Sequence, residues 1–509
     1  MKPTEQNLRE YYNKRWFLRL LEIVPGVITW SALLVPVALA LTRPILLAYF
    51  IIAFDLFWLT KTLRLNYYLI RGYHRLHKYQ RIDWQGKLAG LKPDPPRVLD
   101  PSKLYHAVII ATYNESREIL EPSIRALTNV KYDLSKIFLV IAYEERGGEH
   151  IEHTAKALIK EYGHQFGMAL AIKHPDGMVG EVKGKGANIT FAGRQLAKEI
   201  AKRKLEPENV IVTTLDSDHR PHPEYFAYLS YHYATDPNRI HRSYQPIPMF
   251  YNNIWDAPAA MRVLATGSSF WMIVESMRPN RLRNFAAHAQ SLRTLLDTDF
   301  WSVTTIVEDG HQYWRTYFTY DGDHRVVPLW LPIYQDAVLA KTYPRTFAAQ
   351  YKQLRRWAWG VSDFPYVMRN SLGNKKIKFD EKVIQIGRLM EGHFSWATAP
   401  LILSFAGWLP LLLNRRFSEQ LLAHQLPKIA SYILTATMVG LLTTIFISLI
   451  SLPPRPPRHR RTKIIAMVAQ WILLPFVTIF FSAFAAIDAQ TRLMLGKYME
   501  FYVTEKSTR

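Results

Sequence analysis

Long apolar stretches stand near both ends of the chain, two in the N-terminal part and three in the C-terminal part. Their approximate bounds are Ile23–Leu41, Ile45–Thr60, Phe394–Leu413, Ile429–Leu452 and Ile464–Ile487. A helix that crosses a hydrocarbon core about 30 Å thick needs roughly 20 residues or somewhat fewer. No small-residue cleavage site follows the first stretch, so we expect no removable signal peptide. The pattern predicts an integral membrane protein with five spanning helices.

Between these stretches, short β-branched runs alternate with segments of helical character. The runs lie at His106–Ala111, Ile137–Ala142, Met168–Ile172 and Val210–Leu215. The helical segments lie at Glu118–Leu127, Ile151–Tyr162 and Asn188–Lys202. Short buried runs are typical of parallel strands, and their alternation with helices predicts an α/β domain with a mostly parallel sheet. Ligands of such sheets bind at the carboxyl ends of the strands.

The 509 residues carry a formal net charge of +22, and positive residues crowd beside the apolar stretches. Lys14-Arg15 precedes the first stretch, and Arg458–Lys463 separates the last two. This distribution favours membrane lipids over nucleic acid as a partner, and no nucleic-acid-binding module is recognisable. The chain has no cysteine, which excludes disulfides, cysteine-ligated zinc and thiol catalysis.

The basic flanks also predict an orientation, because lysine and arginine accumulate on the cytoplasmic side of membrane proteins. The number of spans between the segments Arg9–Arg19, Lys61–Arg71 and Pro453–Lys463 allows all three to lie on that side. The region between the second and third stretches is then cytoplasmic, and we expect the cytoplasmic membrane of a bacterium or archaeon. Five spans leave the C-terminal tail outside, unless Ala486–Lys506 lies along the interface instead.

Two aspartates follow the last β-branched run at a spacing suited to a divalent cation. The run Val210–Leu215 leads directly into Asp216-Ser217-Asp218. Carboxylates so placed can hold Mg²⁺ or Mn²⁺, which would bridge phosphate oxygens and neutralise a diphosphate leaving group. The same spacing recurs at Asp297-Thr298-Asp299 and Asp321-Gly322-Asp323, where a turn or a helix cap is the favoured interpretation. We therefore predict a metal site at Asp216 and Asp218.

Two polar segments carry weaker signals. Thr112-Tyr113-Asn114-Glu115 ends the first run and can hold a nucleoside by hydrogen bonds, although a simple helix cap is the alternative. Gly180–Asn188 combines glycines with lysines before a helix, a pattern that favours phosphate. It lacks the spacing of a Walker loop, and a flexible basic loop is its alternative.

Two further motifs lie later in the chain. One is a pair of acids, and the other combines an amide, a basic and an aromatic side chain. In Thr304–Gly310, Glu308 and Asp309 are predicted to lie in a glycine-containing turn. An acid in that position can act as a general base or cap a helix. Gln353, Arg356 and Trp357 share one helical face at i, i+3 and i+4. They offer an amide, a guanidinium for phosphate and a ring that stacks on a sugar. A membrane-interface anchor is the alternative, above all for the neighbouring Arg355 and Trp359.

In this order and spacing, the motifs resemble those of family 2 glycosyltransferases of the cellulose, hyaluronan and chitin synthase type. The resemblance covers roughly Tyr105–Gly360 and the arrangement of the apolar stretches. It implies a GT-A fold that faces the cytoplasm and is flanked by transmembrane helices. The domains expected from it are an N-terminal hairpin (1–60), an interfacial linker (61–104), a GT-A domain (105–344), interfacial helices (345–393) and C-terminal helices with a tail (394–509).

The resemblance also implies a role for each matching residue. Asp309 corresponds to the base of the family's E-D motif, with Glu308 beside it, and Asp216 and Asp218 correspond to its metal-binding D-x-D. The lysine of the family's loop before the central helix corresponds to Lys185, and Lys183 is the alternative. The residues that would contact the donor or the acceptor are Thr112, Tyr113, Asn114, Glu115, Gly267, Ser268, Gln353, Arg356 and Trp357.

Two features depart from the family. The second strand ends Tyr143-Glu144-Glu145 where the family has a pair of aspartates, so Glu144 would be the acid that contacts the nucleobase. The stretch Ser276–Arg293 is basic and predicted to be helical, and it has no counterpart in the family.

The activity implied is inverting transfer of a sugar from a nucleoside-diphosphate sugar, with a UDP-sugar as the favoured donor, to a growing polysaccharide. Transfer of one sugar to a polyprenyl phosphate or another lipid acceptor is the alternative within the same class. A non-catalytic transporter or scaffold is the alternative from another class, and Asp55 in the second span would then be its functional acid.

Overall fold

A computed structural model describes residues 14–501, so Arg9 and the end of the expected interfacial tail lie outside the described residues. The chain forms two compact units. The sheet unit comprises 72–257, 265–346 and 500–501, and the helical unit comprises 14–71, 258–264 and 347–499.

The sheet unit is built on eight strands. They are β1 (Tyr105–Thr112), β2 (Ile137–Glu144), β3 (Met168–His174), β4 (Val210–Asp216), β5 (Arg220–Pro221), β6 (Arg242–Met249), β7 (Ala289–Ser291) and β8 (Arg325–Tyr334). Their order across the sheet is β3-β2-β1-β4-β7-β6-β8-β5. The pairs among β1 to β4 and the pair β6–β8 are parallel, whereas β7 runs antiparallel to β4 and β6, and β5 to β8.

Three α-helices of the described chain precede β1, others alternate with the strands, and the rest follow β8. They are α1 (Arg15–Thr42), α2 (Pro44–Gln80), α3 (Trp84–Ala89), α4 (Arg117–Thr128), α5 (Glu149–Tyr162), α6 (Lys185–Lys202), α7 (Tyr225–Thr235), α8 (Ala259–Ser276), α9 (Leu292–Asp297), α10 (Glu308–Thr319), α11 (Tyr343–Ala358), α12 (Asp363–Gly373), α13 (Phe379–Phe405), α14 (Leu409–Leu413), α15 (Arg415–Ser418), α16 (Leu421–Ile450), α17 (Lys463–Ala469), α18 (Leu474–Val477) and α19 (Phe484–Met494). The four strands and three helices predicted for the first half of the domain are confirmed.

Helices cover both faces of the first four strands. Val108 and Ile110 of β1 point into a core with Ile124 of α4, whereas Ile109 points to the opposite face, where Leu196 of α6 lies. Alternate side chains of a strand face opposite ways, so a strand buried on both faces is apolar throughout. Each such buried aliphatic side chain contributes about 1.5–3 kcal/mol. The α/β class predicted from the sequence is confirmed.

The helix predicted over Ser276–Arg293 is wrong. Helix α8 ends at Ser276, and the chain then continues without helix until β7 and the short α9. Pro279 explains the break, because a proline disfavours helical geometry at the residue before it and lacks the amide hydrogen of a helix interior.

The helical unit contains five helices or helix series that are long and apolar enough to cross a membrane. They are Arg15–Thr42, Pro44–Gln80, Phe379–Leu413, Leu421–Ile450 and Lys463–Met494. The predicted apolar stretches fall within them, except that Ile429–Leu452 ends two residues beyond Ile450. Polar side chains join the first and last of these to each other: Thr29 Oγ1 donates to Gln490 Oε1 at 2.5 Å. Gln490 Nε2 in turn donates to the carbonyl oxygen of His393 at 3.0 Å.

Candidate functional site

The sheet brings three polar strand ends to one edge. Because β1 pairs with β2 on one side and with β4 on the other, Thr112 is level with Tyr143, and Ala111 is level with Asp216. The chain leaves β1 towards β2 and β3, and later returns to the opposite side of β1 as β4. Such a reversal of strand order opens a crevice at the carboxyl ends, where ligands of α/β sheets bind.

Lys185 connects two of the predicted acids at this edge. Its Nζ lies 2.5 Å from Asp216 Oδ1 and 4.0 Å from Glu308 Oε1. Its side chain is 13% exposed. Burial lowers the pKa of Lys185, but the carboxylates of Asp216 and Glu308 outweigh burial and raise it. Lys185 is therefore a fixed positive charge between two acids. The sequence allowed either Lys183 or Lys185 in this position, and the structure has Lys185 there.

Close backbone packing holds Lys185 in this position. A Cβ on Gly186 would come within 2.5 Å of the Ser302 carbonyl oxygen and 2.9 Å of Glu308 Cβ, so only glycine lets α6 approach the segment before α10. Asn188 Nδ2, one turn later, donates to the carbonyl oxygen of Ala142 at 2.8 Å and ties α6 to the end of β2. The first turn of α6 is thus fixed against both the sheet and Glu308.

Asp216 and Asp218 differ in their surroundings. The side chain of Asp216 is 35% exposed, whereas Asp218 is buried, and its Oδ2 accepts a hydrogen bond from the Asp336 amide at 2.8 Å. Asn252 Nδ2 donates to the Asp218 carbonyl oxygen at 3.0 Å and fixes the loop after β4. No group of three histidine, aspartate or glutamate side chains suited to a metal ion occurs within residues 14–501. Two carboxylates alone fit a cation such as Mg²⁺, which takes its remaining ligands from water and substrate phosphates.

Glu308 and Asp309 lie in the first turn of α10, and not in the turn predicted from the glycine that follows. Glu308 is buried, and Asp309 is half-buried with its Oδ1 accepting from the Gly310 amide at 2.7 Å. The start of a helix carries a partial positive charge, which stabilises both acids as carboxylates. The N-cap position is Val307, which makes no side-chain capping hydrogen bond, and the helix continues through Gly310.

The loop after β1 is organised by Glu115. The Glu115 carboxylate accepts hydrogen bonds from the Thr112 hydroxyl at 2.7 Å and from the amides of Tyr113 at 2.8 Å and Asn114 at 3.2 Å. Glu115 therefore shapes this loop from within. The Tyr113 ring lies beneath the Arg146 guanidinium, 4.4 Å from the ring centroid, and Arg146 also forms an ion pair with Glu144.

Sequence reasoning missed Arg146, Asn188, Asn252 and Asp336. Arg146 follows Glu144 by two residues in a short loop, and its position over Tyr113 depends on a contact between two different strand ends. The two asparagines act on carbonyl oxygens, a role that any loop can supply. No local pattern in the sequence marks these residues.

The Gln353, Arg356 and Trp357 set lies on α11, in the helical unit. All three are half-buried, and Gln353 Oε1 accepts from Gln350 Nε2 at 3.2 Å. The neighbouring Arg355 pairs with Asp488 at 2.8 Å. Trp359 is buried, so both neighbours have structural roles.

Gly267 and Ser268, predicted near the acceptor, lie within helix α8 of the sheet unit. Gly267 is exposed on that helix, and Ser268 is half-buried. The structure thus groups Lys185, Asp216 and Glu308 by direct contact, with Asp218 and Asp309 beside them in the chain. It places Gly267, Ser268 and the α11 residues on other elements.

Among solved structures, the chain is similar to a mannosyltransferase from Pyrobaculum calidifontis, in complex with GDP-Man and Mn²⁺. Identity is 13% over 88% of this chain and 100% of that chain, with a TM-score of 0.44. It is also similar to residues 1–349 of S. aureus TarS in complex with UDP-GlcNAc, at 12% identity over 78% of this chain and 93% of that chain, with a TM-score of 0.34. No curated protein matches the chain.

A family model gives the decisive match. The model for glycosyl transferase family group 2 matches residues 211–484, which is more than half of the chain. The matched region begins in β4 and includes the strand-end aspartates, the acidic pair and the α11 motif. The chain therefore belongs to the family 2 glycosyltransferases, and it joins a glycosyltransferase domain to five candidate membrane-spanning helices.

Proposed function

We propose that this glycosyltransferase transfers a sugar, with inversion, from a nucleoside-diphosphate sugar to a saccharide chain at the cytoplasmic membrane face. The observation that carries this proposal is the contact of Lys185 with Asp216 and Glu308 at the carboxyl edge of the sheet. A fixed cation and several carboxylates converge where α/β sheets bind nucleotides. Such a cluster suits a diphosphate group and the hydroxyl that displaces it.

Asp309 is the proposed base. Its carboxylate takes the proton of the acceptor hydroxyl while that oxygen attacks C1 of the donor sugar. The bond from C1 to the diphosphate oxygen breaks on the opposite face, so the configuration at C1 inverts and a nucleoside diphosphate leaves. A positioned base of this kind contributes typically about 10²–10⁴ in rate. Glu308, the buried residue before it in the chain, lies 4.0 Å from Lys185 and balances the charge of that lysine.

Asp216 and Asp218 are the residues that would hold a divalent cation. When bound, Mg²⁺ or Mn²⁺ neutralises the charge that develops on the diphosphate. The residues of this chain act around that charge: Asp218 is fixed by the Asp336 amide, and Lys185 supplies a further positive charge. We assign Gln353 and Arg356 to the diphosphate and Trp357 to the acceptor sugar, on the basis of the family motif.

The membrane face is proposed from charge. Lys61 and the basic loop between α16 and α17 flank apolar helices, as cytoplasmic loops do. We favour a saccharide acceptor over a lipid because the α11 set of Gln353, Arg356 and Trp357 resembles the motif of polysaccharide synthases.

The direct test is incubation of the purified, detergent-solubilised protein with a panel of nucleotide sugars and oligosaccharide acceptors. Release of nucleoside diphosphate together with acceptor products of increasing length supports the proposal. Products that gain one sugar on a polyprenyl phosphate, and none on oligosaccharides, would replace the saccharide acceptor with a lipid. Absence of nucleoside diphosphate release with every donor and acceptor would overturn the activity itself.

A further inference from the structure

A small cleft lies between the ends of β2 and β3 and the loop that follows β3. Most of its polar wall consists of charged side chains, which are Glu144, Arg146, His174, Asp176, Glu181 and Lys183. Glu144 and His174 are level with each other in the parallel pairing of β2 and β3. The cleft therefore belongs to the same carboxyl edge of the sheet as Asp216.

The charges of this wall are paired with one another, apart from one donor. His174 Nε2 lies 2.9 Å from Glu181 Oε2, and Lys183 Nζ lies 2.9 Å from Asp176 Oδ1. Arg146 Nε donates to Glu144, but Arg146 Nη2 is buried and has no hydrogen-bond partner among the described residues. A buried, charged donor is costly unless an acceptor meets it, so this group indicates a ligand that brings an acceptor.

The position of Arg146 is fixed before any ligand arrives. Its guanidinium lies over the Tyr113 ring at 4.4 Å, and its Nε is bound by a Glu144 carboxylate that is itself only 5% exposed. A Cβ on Gly147 would come within 1.8 Å of the Tyr113 carbonyl oxygen, so glycine is required for the β2 loop to reach the β1 loop. The buried carboxylate and the guanidinium thus form one rigid edge that offers acceptors beside a donor.

We infer that Glu144 and Arg146 form the nucleobase subsite and select guanine, so that the donor is a guanosine-diphosphate sugar. The inference rests on the proposed function, because it assigns the base of the same donor. Guanine presents O6 as an acceptor next to N1–H and N2–H₂ as donors. Arg146 Nη2 donates to O6, and the Glu144 carboxylate accepts from N1–H and N2–H₂.

The other bases match this edge less well. Uracil has O4 and a single N3–H, and its O2 would face the second carboxylate oxygen of Glu144. Adenine and cytosine present a ring-nitrogen acceptor to the carboxylate. A bidentate pair that one base satisfies and another does not discriminates by about tenfold to a hundredfold. The second carboxylate oxygen of Glu144 is therefore the group that separates guanine from uracil.

The test is equilibrium binding of GDP, UDP, ADP and CDP to the full-length protein in detergent with Mn²⁺. GDP is expected to bind at least about tenfold more tightly than UDP. Glu144→Gln is expected to weaken GDP binding and to narrow or reverse the preference for GDP over UDP. The reason is that the new amide group donates to the O2 of uracil and opposes the N–H groups of guanine. Retained UDP binding by this variant shows that it is folded.

Glu152→Gln is the matched control, since Glu152 pairs with Lys156 and Lys173 outside the cleft, and its base preference should equal that of the unaltered protein. UDP binding as tight as GDP, in a protein that releases nucleoside diphosphate from sugar donors, would overturn the guanine assignment and leave the proposed function standing. Failure of every nucleoside diphosphate to bind would overturn both.

Discussion

The pairs Asp216/Asp218 and Asp321/Asp323 have the same spacing in sequence but lie in different surroundings. Asp216 ends a buried parallel strand and contacts Lys185, and Asp218 is buried in the loop that follows. Asp323 follows the end of α10 and pairs with His241 at 2.8 Å on an exposed surface. The carboxyl edge of a parallel sheet collects groups from several strands around one crevice, whereas Asp323 lies on an exposed surface away from that edge.

The third pair, Asp297/Asp299, teaches the same lesson. Asp297 ends α9 and forms an ion pair with Arg293 four residues earlier on that helix. Asp299 is 76% exposed and pairs with Arg194 at 2.9 Å. Exposed pairs of this kind contribute about 0–1 kcal/mol. An aspartate pair therefore becomes a candidate for chemistry through its place in the fold, and spacing alone does not distinguish the three.

The largest contrast is expected between Asp309 and Asp299. Asp309→Asn removes the proposed base and should lower the rate of sugar transfer by about 10²–10⁴, while donor binding survives because the base acts on the acceptor. Asp299→Asn, which removes only a surface ion pair, should leave the rate unchanged. Measured turnover and donor affinity decide, and near-normal turnover in Asp309→Asn would exclude Asp309 from the role of base.

Removal of divalent cations comes next in size. Chelation should lower transfer by about a hundredfold or more, because the diphosphate charge loses its counter-ion. Addition of Mg²⁺ or Mn²⁺ in excess should restore the rate. Full activity in excess chelator would show that Asp216 and Asp218 resemble the other two pairs after all, with no metal between them.

A smaller effect is expected at Lys185. Lys185→Met removes a charge-assisted contact to Asp216 and should raise the KM for the donor by about tenfold. The control is Lys202→Met on the same helix, where Lys202 pairs with the surface residue Glu199. Equal KM values for the two variants would show that Lys185 contributes no more to donor binding than the surface residue Lys202.

The smallest effect concerns stability alone. Burial lowers the pKa of His106 in β1 to about 3, so the folded protein keeps His106 neutral while the unfolded chain protonates it below about pH 6.5. The stability is thus fully present above pH 6.5 and is lost as the pH falls towards 3. Between pH 6.5 and 5 the loss is about 2 kcal/mol at most.

His106→Gln should show a smaller drop in melting temperature over that range, with unchanged catalysis at neutral pH. This result would show that a buried polar group inside the sheet affects stability, whereas those at the carboxyl edge affect catalysis. A melting temperature that falls equally in both proteins would show that His106 does not cause the acid sensitivity.

The first half of the sheet was predictable, and the second half was not. Strands β1 to β4 are continuous apolar runs between helices, a pattern that periodicity detects. Strand β6 contains Pro246 and Pro248, and β8 contains Pro328 and Pro332, so neither reads as a strand. The register of their pairing shifts between Pro246 and Ile247, which accommodates the prolines.

The candidate site divides in the same way. The sequence reveals Asp216, Asp218, Glu308 and Asp309 because they follow apolar runs, and Lys185 because it lies in a glycine- and lysine-containing loop before a predicted helix. The edge formed by Glu144 and Arg146 was only half visible in the sequence: Glu144 ends β2, but Arg146 acquires its place through Tyr113, which lies on another strand end. Contacts between loops of different strands depend on the tertiary fold and leave no local pattern.

The central claim is that the carboxyl edge of the parallel strands performs the chemistry. The most direct measurement is the rate of nucleoside diphosphate release by Asp218→Asn and Asp323→Asn, compared at saturating donor and Mn²⁺. Loss of a charged group at the leaving diphosphate should lower the rate of Asp218→Asn by about 10²–10³, with Asp323→Asn equal to the unaltered protein. Equal rates in the two variants would contradict the claim.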